Sequence, residues 1–291
     1  MRVAILGFGL IGGSIARALH DRPAIGSAGW SVVAWSPSGA GPTAAAADGV
    51  IAEASASPTE AIEGAGLVIL AGPAPACIAT IDELAGTLRH ALASGAVVTD
   101  VAGTKRLIVE RAVERGVRFV GGHPMAGRET AGYAAADPAL FVGRPWVLVP
   151  SGDQDAMDRV GALVSAVGAR AVAMTAAEHD TAVAAISHLP LVMAAALVEA
   201  MAGAAAERDD WRAAASLAAG GWRDMTRLAR GDEVMGAGII ETNGPAVAAR
   251  LRELIAVLEA WLADIDTGAG PDAAAIRRRL ASARARLQGS S

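Results

Sequence analysis

The stretch RVAILGFGLIGGSIARALH, residues 2–20, decides the fold class. A short apolar run, RVAIL, leads into Gly7, Gly9 and Gly12 in G-x-G-x-x-G spacing, and the helix-like SIARALH follows directly. Three glycines so spaced are a weak signal alone. Between a strand and a helix they read as a phosphate-binding turn. The first glycine permits the tight turn, the second lets the backbone approach a pyrophosphate, and the third allows close helix packing. The helix N-terminus adds unpaired N–H groups and the positive end of its dipole. Gly7, Gly9, Leu10, Ile11 and Gly12 are therefore the expected cofactor loop. The alternative is a glycine turn that holds no ligand.

Outward from this unit, short apolar runs alternate with helix-length segments up to residue 175. WSVVAW, LVILA, AVVTD, VRFV, PWVLV and ARAVAM read as strands. Several are continuous rather than alternating, as expected of parallel strands covered on both faces. Helices fit between them, over 77–93 and 104–115 for example. This βαβα order predicts a doubly wound, Rossmann-type parallel sheet over residues 1–175. At Thr175 the pattern changes: TAAE offers a capping box with Thr175 as N-cap and Glu178 at N3. No strand is evident in 176–291. Helical spacing runs through 178–202, 211–230 and 245–265, broken at GDE, ETNGP and DTGAGPD, which predicts an all-helical second domain. Pro190 cannot donate to the carbonyl of Ile186, so a kink or an unpaired acceptor is expected beside His188.

Composition bounds the function. With 291 residues, 53% of them apolar, the chain can form two domains with sizeable cores. A net charge of -5 argues against nucleic acid, and the arginines of the C-terminal RRRLASARARL suit the wet side of a terminal helix. Cys77 is the only cysteine, so no intrachain disulfide forms and a reducing compartment fits. Arg2 and the apolar run after it resemble a signal peptide, but cleavage would remove the glycine loop. The most apolar later segment, Ile186–Val198, is shorter than the roughly 20 residues that span a bilayer. A cytoplasmic protein with neither membrane nor nucleic-acid partners is expected, and no metal-ligand set is evident.

Two positions bear on cofactor and catalysis. Ser36 stands at the end of the second strand, where an acidic residue would hold the ribose of NAD. No anion repels a 2′-phosphate there, yet Pro37 follows rather than an arginine, so NAD and NADP both stay open. His123 follows strand-like VRFV within GGHPMAGRETAG, residues 121–132. It is either a hydrogen-bonded strand-end side chain or a proton acceptor at the carboxyl edge of the sheet, where ligands of such folds bind.

Together TDVAGTK (99–105), GGHPMAGRETAG (121–132), LFVGRPWVL (140–148), EHDTAVAAISHLP (178–190) and GGWRDMTRLA (220–229) resemble the prephenate and arogenate dehydrogenases of tyrosine biosynthesis. The resemblance runs in order over nearly the whole chain. It implies a Rossmann-type domain joined to a helical domain that forms a homodimer, and oxidation of the C4 hydroxyl of a cyclohexadiene with NAD or NADP and loss of CO2. It implies that His123 is catalytic, that Arg227 binds the ring carboxylate, and that Glu129 is an ionic gate near the substrate. Ser187 and His188 would pack against the cofactor and substrate region, and Asp100 would end a strand beside the cofactor or cap a helix. Arg128 would meet the side-chain carboxylate or pair locally with Glu129. Arg223, four residues before Arg227, suits a structural or solvent-facing role.

The chain departs from the family pattern twice: Gly103 stands where serine is common, with Thr104 next door as a stand-in, and Leu191 stands where a second histidine is frequent. Both leave room for a related substrate such as an aminodeoxy analogue. Two rivals follow. One is a dehydrogenase of β-hydroxy acids or imines, whose families use a lysine or a tyrosine/aspartate on the catalytic helix; here the single lysine, Lys105, precedes the histidine motif. The other is a nucleotide-binding regulator without catalysis.

Overall fold

A computed structural model describes residues 1–21, 29–128, 130–203 and 209–288. Among these, eight strands form one sheet: β1 (Arg2–Leu6), β2 (Ser31–Trp35), β3 (Glu53–Ala54), β4 (Leu67–Leu70), β5 (Val97–Asp100), β6 (Phe119–Pro124), β7 (Pro145–Val149) and β8 (Arg170–Ala173). Their order is β3-β2-β1-β4-β5-β6-β7-β8. Helices α1 (Leu10–Asp21), α2 (Ala40–Ala47), α3 (Pro58–Ile62), α4 (Ala74–Ala85), α5 (Arg106–Glu114) and α6 (Gln154–Ala166) connect them. Val3 and Ile5 of β1 join one apolar core while Ala4 and Leu6 join the other. That two-sided burial is why the central runs are continuously apolar, and each buried Val, Leu or Ile contributes about 1.5–3 kcal/mol.

The sheet differs from expectation in two places. β3, only Glu53–Ala54, lies at the edge and carries no apolar run to announce it. β7 runs antiparallel to β6, with His123 opposite Val147. After β6 the chain returns through a 3-10 turn at Tyr133–Ala135 rather than a crossover helix, and an antiparallel neighbour needs none. α4 starts earlier than expected because Pro75, in its first turn, has its φ already set for a helix; it stops before Gly86.

Beyond β8 the described elements are helical: α7 (Ala176–Val183), α8 (Leu189–Val198), α9 (Asp209–Ser216), α10 (Gly220–Thr226), α11 (Glu233–Ile265) and α12 (Ala273–Gln288). The capping box at Thr175 and Glu178 is formed in both directions. Pro190 is accommodated by a π turn, Ala184–His188, which widens the helix where the proline removes a donor. The helix expected over 211–230 is instead divided into α9, α10 and a 3-10 turn at Arg227–Arg230. α11 is interrupted at Asn243 (φ −128°, ψ 19°), two residues before Pro245. By internal contacts the chain falls into two compact units, Met1–Gly244 and Pro245–Ser291; all site residues lie in the first.

Taken with its π turns, the helical run Ala176–Gly203 is 28 residues long. It exceeds the apolar segment expected from sequence, and by length and composition alone it is sufficient to cross a bilayer. Its polar side chains His179, Asp180 and His188 are nevertheless buried and hydrogen-bonded inside the first unit. These partners are of a kind that lipid does not offer, although only 22% of the apolar window is buried within the chain.

Candidate active site

The glycine turn is a backbone device. Gly7 has φ +92°, and a Cβ there would lie 2.7 Å from the carbonyl carbon of Ala71. A Cβ on Gly12 would lie 2.6 Å from the carbonyl oxygen of Gly7. Gly9 faces open space, with nothing within 4 Å of a Cβ position. Two glycines are thus demanded by the fold itself, and the third keeps an approach clear beside the N-terminus of α1, where N–H groups attract a phosphate. Leu10 and Ile11 open α1 and lean on the core. The Oγ of Ser36 is buried with no hydrogen-bond partner in the chain, so a ribose hydroxyl would meet an unspent group. The turn and the residues beside it fit a dinucleotide.

At the carboxyl ends of β5 and β6 a second cluster is built from side chains. Asp100 is fully buried; it accepts hydrogen bonds from the backbone N–H of Ala102 and Gly122, each at 3.0 Å, and pairs with the equally buried Lys105. Burial pushes its carboxyl up, while Lys105 and the two amides pull the other way. Three donors hold the charge in place. Asp100 therefore turns inward rather than toward a nucleotide, and it caps no helix. The capping falls to Asp180 of α7, which accepts from Lys105 N at 2.7 Å and Arg106 N at 2.9 Å, where α5 begins.

His123, half-buried on β6, places Nδ1 2.8 Å from His179 Nε2, the two rings meeting edge to face. His179 Nδ1 lies 2.8 Å from Asp180 Oδ1. Burial drives the proton affinity of His123 well below the ordinary histidine value, and His179, Lys105 and His188 add to the effect. For Asp180, burial works against the charge, yet hydrogen bonds from His179 and from the Arg106 and Lys105 amides hold its pKa below the usual carboxylate range. The imidazole is neutral and the carboxylate ionised.

His188 is spent on structure. Asn243 donates to its Nδ1 at 3.2 Å and to the carbonyl of Asp180 at 2.8 Å, and the Nε2 of the same ring would lie 3.9 Å from a Cβ on Gly103. Burial pushes its pKa down to about 4. Thr104 is likewise buried, its hydroxyl 2.8 Å from that of Thr242, which donates onward to the Gly238 carbonyl at 2.6 Å. Both side chains, placed by the resemblance near the cofactor and substrate region, are hydrogen-bonded inside the protein here. Ser187 is exposed on the π turn. Arg128 pairs with Asp137, and Glu129 lies outside the described residues. Arg227, exposed within the chain, begins the 3-10 turn after α10, so it and Arg223 do not share one regular helix.

The residues sequence reading passed over are His179, Asp180, Thr242 and Asn243. His179 and Asp180 sit directly after the capping box, and Asn243 lies in ETNGP, where the break was expected but its cross-link was not.

A phosphate-binding turn and a neutral, half-exposed histidine at one carboxyl edge of a parallel-dominated sheet define a nicotinamide-dependent oxidoreductase. The family described as prephenate dehydrogenase, nucleotide-binding domain, matches residues 29–173, and prephenate dehydrogenase, dimerization domain, matches 175–275. The chain is 32% identical over 270 residues to the prephenate dehydrogenase of Bacillus subtilis, covering 91% of this chain and 68% of that protein. Solved structures are similar over 99% of the chain. The arogenate dehydrogenase of Synechocystis has a TM-score of 0.76 at 29% identity, with 100% of its chain covered. The A. aeolicus prephenate dehydrogenase in complex with hydroxyphenyl propionate and NAD+ has a TM-score of 0.83 at 26% identity, with 98% covered. The chain belongs to the prephenate dehydrogenase family.

Proposed function

We propose that the chain catalyses the NAD(P)-dependent oxidative decarboxylation of prephenate, or of arogenate, to 4-hydroxyphenylpyruvate or tyrosine, and that it works as a cytoplasmic homodimer. The observation that carries the mechanism is a neutral histidine on β6 whose Nδ1 is already hydrogen-bonded within the protein. Its Nε2 is left to accept a proton. The turn at Gly7–Gly12, with Leu10 and Ile11, would hold the pyrophosphate and Ser36 the adenosine ribose. The bound nicotinamide supplies the hydride acceptor.

His123 withdraws the proton of the C4 hydroxyl as the hydride leaves C4. The bond between ring C1 and its carboxylate then breaks; its electron pair passes through the ring, which becomes aromatic, to the C4 oxygen, CO2 departs, and that oxygen takes back the proton held by His123. A proton acceptor must be uncharged beforehand, and burial keeps His123 so near neutral pH. Arg227 would bind the ring carboxylate, and Arg128, Glu129 and Ser187 would face the rest of the substrate. Asp100, Thr104 and His188 would hold the geometry from behind.

The domain division at 175/176 is supported by the capping box that starts the helical part. Dimerisation is supported by the match to the dimerization-domain family and by exposed apolar side chains on that part, among them Ile186, Met225 and Val234. A second subunit would cover them.

The test is a spectrophotometric assay crossing prephenate and arogenate with NAD and NADP, repeated for His123→Asn. Turnover should fall about a hundredfold or more with little change in KM. Unchanged turnover would remove His123 from the reaction, and nucleotide binding with no reduction on any substrate would favour a regulator.

A further inference from the structure

His123 does not stand alone: a chain of hydrogen bonds runs from it through His179 to Asp180 and ends on the backbone of α5. The direction of every bond in that chain can be worked out from the carboxylate end. Asp180 accepts from two peptide N–H groups, so it is held as an acceptor. His179 Nδ1, 2.8 Å from Asp180 Oδ1, must therefore be the nitrogen that bears hydrogen. In a neutral imidazole the other nitrogen then carries the lone pair, so His179 Nε2 accepts. The only partner it can accept from at 2.8 Å is His123 Nδ1. The opposite tautomer of His123 would set two lone pairs against each other across that distance.

We infer that His179 and Asp180 are positioning residues for the proton transfer: the Asp180–His179–His123 chain fixes the tautomer of His123 so that Nε2 bears the lone pair. The inference rests on the reading that His123 is the proton acceptor. When Nε2 gains the substrate proton, the Nδ1–H of His123 stays donated to His179 Nε2. The new positive charge lies one imidazole away from an anchored carboxylate, the arrangement that stabilises an imidazolium in triad-type sites. His188 does not enter this chain, because its Nδ1 is taken by Asn243. The chain also ties the base to the fold. Asp180 holds the first turn of α5, Asn243 holds the carbonyl of Asp180, and the ring of His123 is thereby oriented from β6, α5, α7 and α11 together.

The tautomer is read directly by nitrogen NMR of the full-length protein labelled with 15N-histidine, at a pH where the rings are neutral; His123 is assigned by the signal lost in His123→Asn. The expected result is hydrogen on Nδ1 and none on Nε2. Hydrogen on Nε2 of the wild type overturns the inference, whatever any variant does. In His179→Phe, kcat should fall about tenfold or more with KM changed less than about threefold, and His123 should show mixed tautomers. His179→Gln, whose side-chain oxygen can accept from His123 Nδ1, should recover part of kcat. A histidine that merely fills space would shift stability but leave the His123 tautomer and the kcat-to-KM pattern unmoved, and that outcome also sinks the inference. Failure of the underlying reading looks different: His123→Asn would then keep wild-type turnover.

Discussion

The glycine turn and the His123 cluster lie at the same edge of one sheet and are made by opposite means. The turn spans six residues and uses backbone: Gly7 and Gly12 are dictated by contacts with Ala71 and with each other, and Gly9 by the space it leaves. The cluster uses side chains from positions as distant as Asp100 and Asn243, each satisfied by another. A backbone site tolerates little at the glycines and much around them. A side-chain network fails when any one buried partner goes, because the partner left behind loses its compensation.

The sharpest way to break that contrast is Lys105→Met. It removes the cation from a fully buried pair, and unfolding stability should fall by about 3–5 kcal/mol in urea titration. A loss below 1 kcal/mol would show that the two amides suffice for Asp100.

Acid probes the same network without mutation. The folded pKa of His188 lies below its unfolded value, so between about 6.5 and about 4 the unfolded chain binds more protons than the native one. Stability should be full above pH 6.5 and fall as pH drops through that window, by about 3 kcal/mol from His188 alone, with His123 adding in the same direction. Urea midpoints at pH 7, 5.5 and 4.5 measure it; a flat profile would contradict the buried neutral histidines.

In the turn, Gly7→Ala should cost about 1–3 kcal/mol from its positive φ, and more from the clash with Ala71. Gly9→Ala should leave the melting temperature unchanged while weakening NAD(P) binding about tenfold, because its Cβ meets only the ligand's place. Calorimetric titration beside thermal melts separates the two; equal losses of stability would erase the distinction between fold glycine and ligand glycine. The smallest effect is expected at Gly103→Ser. A Cβ there makes ordinary contacts of 3.7 Å with Ile239 and 3.9 Å with His188, so stability should change by less than about 0.5 kcal/mol. A larger loss would mean that this glycine is required by the fold.

How legible each region was follows from how it is made. RVAIL and the glycines after it announce strand, turn and helix because every determinant is local. The capping box at Thr175 was equally plain. β3 was invisible because two edge residues need no apolar pattern, and the reversal at β7 because a strand's composition does not record its neighbour's direction. Thr104 and His188 were placed near the substrate by the family resemblance, and no local signal shows what their side chains bind. Their partners, Thr242 and Asn243, lie 138 and 55 residues away. His179 was overlooked beside His123 for the same reason.

Sequence by itself determined the sheet-then-helix order, the dinucleotide turn and the family, since periodicity, capping and glycine spacing act between near neighbours along the chain. Only the tertiary structure decided which polar groups face inward and which histidines and carboxylates meet. Those outcomes depend on burial and on donors and acceptors meeting within 3 Å, and a linear order does not encode such distances.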